Sequence, residues 1–367
     1  MGKSPAIIDA DGHIFEDHSG IWKFMPAVFS ETSRRTAVFP GLDHLHTPVG
    51  RTPPGSFAPV GPDGWLEFAA AVGIKAAVLY PTNGLAFGRI TDVDWAIAVA
   101  RAYNDWLHDA YLRRSPCFKG MALVPLQEPE AAVAELRRAV SELGMCGGML
   151  PSTGLKAHLG AKEFWPLYAE ADRLGCALAI HGGSHNGLGL DTMDVFAAAH
   201  ALGHPFGMLV NFAGMVFHRV FERFPNVRFG FLEAGVAWLL LALERFDGSF
   251  AGFTPFDVRQ ELLRLEPGRK VSDYIVEQIR AGRIFVGCEG DEPLLAQAVK
   301  AVGAEPFVFS SDFPHEVNAE SCREEVDELL ANNALTEQDL EAILSRNAER
   351  LYGLAPSEAG ASRKEGK

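Results

Sequence analysis

Seven polar side chains stand directly behind short apolar runs of this sequence, and most are of types that bind metals or move protons. They are Asp11 and His13 after the first run, Asn83 after the second, His181 after the fifth, Glu233 after the sixth, Glu289 after the seventh and Asp312 after the eighth. Charged groups gathered at the ends of apolar segments are costly unless compensated, and a divalent cation bound by imidazole and carboxylate supplies that compensation. Asp11-Gly12-His13 places two donors two positions apart, which on a strand face the same way, with a glycine between them that admits close packing. Taken alone, the tripeptide fits a turn aspartate and an incidental histidine as well as a ligand pair. Taken with His181, which lies between Ala179-Ile180 and Gly182-Gly183 and not on a solvated helix face, it reads as a metal site. Asp312, in the segment FSSDFPH at 309–315, completes the set as a ligand or general base, with a helix N-cap as the alternative.

Glu233 follows Phe229-Gly230-Phe231-Leu232, where a carboxylate is expensive unless paired. It could ligate a metal, take a proton, or give one after burial has raised its pKa, and an ion pair with Arg228 is the alternative. His315 is expected to hold a carboxylate or the substrate, so Glu233, Asp312 and His315 form the expected catalytic group. Asn83 and Arg89 could meet a substrate carboxylate, and His185 could orient substrate across its glycine-rich loop. Glu289, in GCEGDE, is a further candidate contact that a solvated acidic loop would explain equally. Asp9 is either a helper to the metal pair or a buried group hydrogen-bonded lower down.

The elements that must carry these residues alternate regularly. Eight short apolar runs lie near residues 8, 77, 123, 149, 178, 229, 285 and 308, mostly separated by segments of helical periodicity. Strands apolar on both faces and alternating with helices imply a parallel sheet covered by helices, and eight such units are the number of a (β/α)8 TIM barrel. Residues at the C-terminal ends of barrel strands converge on one mouth. The rival, an open doubly wound sheet, needs a glycine-rich phosphate turn after an early strand, where this chain has Asp-Gly-His. The expected architecture is therefore a somewhat distorted α/β barrel over residues 1–355. The loop-rich stretch 30–64 and the mixed stretch 251–282 are expected over the mouth, and 356–367 as a flexible tail.

Composition narrows the partners. Of 367 residues, 33 are basic and 47 acidic, a net charge of −14, which leaves no footprint for nucleic acid or an anionic membrane surface. No apolar run reaches the ~18 residues of a spanning helix, and no signal peptide is visible. Cys117, Cys146, Cys176, Cys288 and Cys322 lie far apart with no CxxC pair, which fits buried thiols and a reducing cytoplasm.

Five segments carry a family resemblance: DADGH at 9–13, AIHGG at 179–183, RFPNVRFGFLEAG at 223–235, FSSDFPH at 309–315 and NAERLYG at 347–353. In this order the chain resembles the amidohydrolase-related metal enzymes typified by aminocarboxymuconate semialdehyde decarboxylase. The resemblance implies a distorted barrel, one divalent metal (zinc first, manganese or iron as alternatives), a homodimer, and a small carboxylic acid or carbonyl compound as substrate. It also implies non-oxidative decarboxylation, with hydrolysis of an amide, ester or lactone as the alternative. An iron-dependent oxygenase and a non-catalytic binding barrel are lesser possibilities. It aligns Asp11, His13, His181 and Asp312 with the family's ligands, although family members usually carry histidine or glutamate at the position of Asp11. Glu233 falls where characterised decarboxylases carry a catalytic histidine, which leaves room for it as a ligand to a second metal.

Overall fold

The computed structural model describes residues 6–32, 37–42, 44–45, 60–259 and 261–356. Eight parallel strands run in sequential order: β1 (Ile7–Ile14), β2 (Ile74–Pro81), β3 (Phe118–Leu123), β4 (Gly147–Pro151), β5 (Ala177–His181), β6 (Arg228–Leu232), β7 (Ile284–Cys288) and β8 (Phe307–Phe309). Every residue of β1, β4, β5, β7 and β8 is buried; β4, β7 and β8 read as unbroken apolar runs for that reason, while β1 and β5 bury Asp9, Asp11, His13 and His181 among their apolar residues. A helix follows each strand: α1 (Pro62–Val72), α2 (Val93–Leu107), α3 (Pro129–Ser141), α4 (Trp165–Leu174), α5 (Phe196–Phe217), α6 (Ala237–Phe253), α7 (Leu295–Val302) and α8 (Ala319–Ala331). The expected barrel is thus the observed one. Local signals set the helix ends: Pro62 opens α1 and left-handed Gly73 closes it, while Asp92 caps α2 by accepting from Trp95 N.

Between β8 and β1 the barrel is drawn together by two backbone bonds at the strand ends. Asp312 N donates to Asp11 O at 3.0 Å and His13 N to Phe313 O at 2.7 Å. Asp9 reinforces this seam, accepting from Ser311 N at 3.0 Å and from the Ser311 hydroxyl at 2.6 Å. Asp9 is therefore the hydrogen-bonded group lower down and not a member of the cluster at the mouth.

Several elements differ from the sequence expectation. The first strand, whose apolar run lies near residue 8, continues through Asp11 and His13 to Ile14, because the seam bonds keep the backbone extended past that run. Residues 192–224 fit one long helix or two shorter ones with Pro205 near a break; Pro205 lies inside α5, and the chain breaks instead at His218. Of the stretch expected over the mouth at 251–282, Leu263 N donates to Phe217 O at the C-terminal end of α5, and none of its described residues lines the cavity described below. Within 30–64, residues 33–36, 43 and 46–59 lie outside the described residues, as does the tail from 357. The described part does reach the mouth: Leu42 O accepts from the Ser184 hydroxyl, and His44 Nε2 meets Met193 O. Among the described residues no helix is long and apolar enough to cross a membrane.

Candidate metal centre at the barrel mouth

β1 delivers the first two donors. Asp11 and His13 are 1% and 0% exposed, and the glycine between them lets Trp65 close over the strand, where its Nε1 donates to His13 O at 2.8 Å. His13 Nδ1 lies 3.0 Å from Pro81 O, and a carbonyl can only accept, so Nδ1 carries the proton and Nε2 presents its lone pair to the mouth. Burial, with the neighbouring His315 and His181, holds the His13 pKa well below its ordinary value, so the ring is neutral. This is the tautomer and charge state of a metal-binding imidazole oriented by a backbone carbonyl.

β5 and the end of β8 supply the rest. His181 Nδ1 donates to Gly182 O at 3.1 Å, and its Nε2 lies 3.0 Å from Asp11 Oδ1. Burial opposes a charge on His181, but Asp11 outweighs it and the pKa is raised. Asp11 is itself raised by burial, with His181 acting against the rise. His13 Nε2 stands 3.6 Å from Asp11 Oδ1 and 3.4 Å from Asp312 Oδ1. Ligand atoms on a tetrahedron with bonds of ~2.1 Å are ~3.4 Å apart, so these separations of 3.0–3.6 Å already have the size of a coordination shell. Asp11 Oδ2 and His13 Nε2 are buried with no hydrogen-bond partner, an arrangement that costs free energy unless an ion is bound there. The donor set therefore fits a divalent metal.

Asp312 and Glu233 share an unusual backbone. Their φ angles are 54° and 53°, a left-handed conformation that costs on the order of 1–3 kcal/mol in a non-glycine residue and is found at functional sites. Both line one cavity of about 580 Å³ at the mouth, together with Phe196, His200, His204 and Glu289. His315 buttresses Asp312 through Nδ1 at 2.7 Å, reaches Thr82 Oγ1 with Nε2 at 3.1 Å, and stacks on His13 with ring centroids 4.2 Å apart. Burial works against a charge on His315, yet Asp312 raises its pKa. Glu233 Oε2 lies 3.4 Å from His181 Nδ1, and Oε1 lies 3.6 Å from His204 Nδ1. Burial first, then the charges of Asp312 and Asp11, push the Glu233 pKa well above its ordinary value, which favours its protonated form. The alternative, an ion pair of Glu233 with Arg228, is not what Arg228 makes; its Nε donates to Leu351 O at 2.7 Å.

The remaining candidates separate. Glu289 is on the cavity wall and His185 is buried near it, its ring 5.1 Å from that of His204. Asn83 and Arg89 do not join the cluster. Asn83 N and Nδ2 both donate to Glu16 at 3.0 Å, and Arg89 donates to Gly41 O. The sequence reading missed His200 and His204, which form a potential ligand group with Glu233. Their spacing of four residues within a helical stretch was the available signal, since it puts both rings on one face.

Comparison with known proteins follows this geometry. The family model described as Amidohydrolase matches residues 8–354. A 2-amino-3-carboxymuconate-6-semialdehyde decarboxylase of Dictyostelium discoideum is 24% identical over 263 residues, covering 71% of this chain and 68% of that protein. A gamma-resorcylate decarboxylase of a Polaromonas species is 24% identical over 296 residues, covering 77% and 84%. The solved 5-carboxyvanillate decarboxylase from Sphingomonas paucimobilis has the same fold, with a TM-score of 0.70 at 18% identity over 96% of this chain and 100% of the other. So does a dihydroxybenzoic acid decarboxylase from Polaromonas with bound manganese and 2-nitroresorcinol, with a TM-score of 0.65 at 20% identity over 97% and 99%.

Proposed function

This chain belongs to the amidohydrolase family, and we propose that it is a metal-dependent decarboxylase of a small aromatic or unsaturated carboxylic acid. The observation that carries this reading is the pair of buried, unpartnered donor atoms, Asp11 Oδ2 and His13 Nε2, beside a cavity that also presents Glu233 as a buried acid. Asp11, His13, His181 and Asp312 would hold the ion. When bound, it supplies Lewis-acid charge that fixes and polarises a substrate oxygen. Two imidazoles with two carboxylates accept zinc, manganese or iron. Manganese is the ion in the solved dihydroxybenzoic acid decarboxylase and in a 5-carboxyvanillate decarboxylase from Novosphingobium aromaticivorans, which favours it here alongside zinc.

The chain's own groups divide the remaining work. Phe196 offers an aromatic wall to the substrate ring. Glu233 gives its proton to the carbon that bears the carboxylate. The carbon–carboxylate bond then breaks, its electron pair restores the ring or alkene π bond that the proton had taken up, and carbon dioxide leaves; Glu233 is reprotonated from solvent. His315, held between Asp312 and Thr82, fixes the Asp312 carboxylate.

Hydrolysis is the second reading: Asp312, on the cavity wall, would take the proton of a water activated by the ion. Incubation of the manganese-loaded protein with hydroxybenzoates, muconate semialdehydes, lactones and amides separates the two. Carbon dioxide with one solvent deuteron on the product carbon supports decarboxylation, and net addition of water without carbon dioxide refutes it. A homodimer and a cytoplasmic location complete the proposal. Exposed Phe253, Phe256 and Val258 offer an apolar face for a second copy, and light scattering on the purified chain tests it.

A further inference from the structure

We propose that His200, His204 and Glu233 form a second, weaker divalent-cation site on the cavity wall, distinct from the four-donor centre at the strand ends. His200 and His204 lie one helical turn apart near the start of α5, with ring centroids 4.9 Å apart, and Glu233 reaches toward them from the end of β6. One ligand atom from each of the three falls within 4.8 Å of the others. Bonds of ~2.1 Å hold ligand atoms no more than ~4.2 Å apart, so small side-chain rotations close the shell. Histidines at i and i+4 on one helix face, joined by a carboxylate from another element, are a recurrent zinc-binding arrangement.

Three independent features show that the place is built. His204 is 6% exposed, and its Nδ1 has no hydrogen-bond partner although it faces the cavity wall near Glu233. Glu233 Oε2 is likewise buried and unpartnered. The backbone is cut away for the His204 ring: a Cβ on Gly182 would fall 2.2 Å from His204 Nδ1. The surroundings also favour a cation, since Asp312, Glu289 and Glu316 line the same cavity and, among the described residues, no lysine or arginine does. The site is the weaker one because it offers three protein donors, one of them the exposed His200. Its existence does not depend on which reaction the protein performs. If the decarboxylase reading holds, an ion on the Glu233 oxygens excludes the proton that the reaction needs there, and the site is inhibitory.

The test counts ions. Untagged, metal-free protein is titrated with Zn²⁺ by calorimetry, and bound metal is measured by mass spectrometry after equilibrium dialysis. The wild type should reach two ions per chain in two affinity classes. His200→Ala, at an exposed position, should weaken the second class at least tenfold and leave the first unchanged. His204→Gln should abolish the second class, and His13→Ala should remove the first and keep the second. Saturation of the wild type at one ion, or a His200→Ala protein that binds two ions as tightly as wild type, overturns the proposal. Neither result bears on whether carbon dioxide is released, so this site and the proposed reaction stand or fall separately.

Discussion

Replacing Gly12 by alanine tests why a glycine separates the two β1 donors. The added Cβ would lie 2.4 Å from Trp65 Cη2 and 2.9 Å from Asp9 Oδ2, whereas carbon atoms rest at about 3.5–4.0 Å. Relief requires a shift of roughly 1 Å. Trp65 is fully buried and edge-on to Phe313 at 4.8 Å and Phe68 at 5.5 Å, so it has no open space to enter. Overpacking of this kind costs about 1–3 kcal/mol. Losing the Trp65–His13 hydrogen bond adds about 1 kcal/mol. Against this, alanine lowers the entropy of the unfolded chain and returns about 0.4–1 kcal/mol. The net expectation is a loss of about 1–3.5 kcal/mol, read as a lower urea midpoint at unchanged slope. Gly248→Ala is the control. That glycine lies within α6 with no atom within 4 Å of the new Cβ, so the same chemical change should stabilise the protein by about 0.5–1 kcal/mol. Gly12→Ala should also weaken metal binding, because the clash falls between Asp11 and His13. Two variants that shift stability in the same direction, or a Gly12→Ala protein within about 0.5 kcal/mol of wild type with unchanged metal affinity, would refute the packing argument.

Further predictions follow from the site. Glu233→Gln should lower kcat by about 10²–10⁴-fold, the range for a positioned general acid, with a smaller effect on KM. Because the Glu233 pKa is raised, wild-type kcat should be flat at low pH and fall as pH rises through that value, and the glutamine variant should lack this alkaline limb. A limb retained in the variant assigns it to another group. Removing metal with a chelator should lower Tm by several degrees, since an ion at 100 times its Kd stabilises by about 2.7 kcal/mol, and adding Mn²⁺ should restore it. Identical melting with and without chelator would contradict a site in the folded state. His315→Gln should reduce metal affinity modestly by freeing Asp312 Oδ1, while His13→Ala should reduce it far more; equal losses would show that His315 does more than position Asp312.

Much of the barrel was legible because its signal is local. Strands buried on both faces are apolar at nearly every position short of their C-terminal ends, and glycine and proline punctuate the helices between them. The donors at strand ends were legible for the same reason, since a histidine or aspartate closing an apolar run has few structural explanations. What the sequence hid depends on contacts between distant segments. The seam bonds from residues 312 and 313 carry β1 past its apolar run. Asp9 and Ser311 are 302 positions apart, so nothing local distinguishes Asp9 from a metal helper. Asn83 looked available for substrate until Glu16, buried beneath it, took both its nitrogens. His200 and His204 gain meaning only when α5 brings them to Glu233, which belongs to the next strand end.

Diffraction from crystals of the manganese-loaded protein, recorded at the manganese absorption edge, tests the central claim most directly. The account predicts an anomalous peak at ~2.0–2.3 Å from His13 Nε2, His181 Nε2 and a carboxylate oxygen of each of Asp11 and Asp312. A fully loaded protein whose strongest peak lies away from His13 and His181 would contradict it.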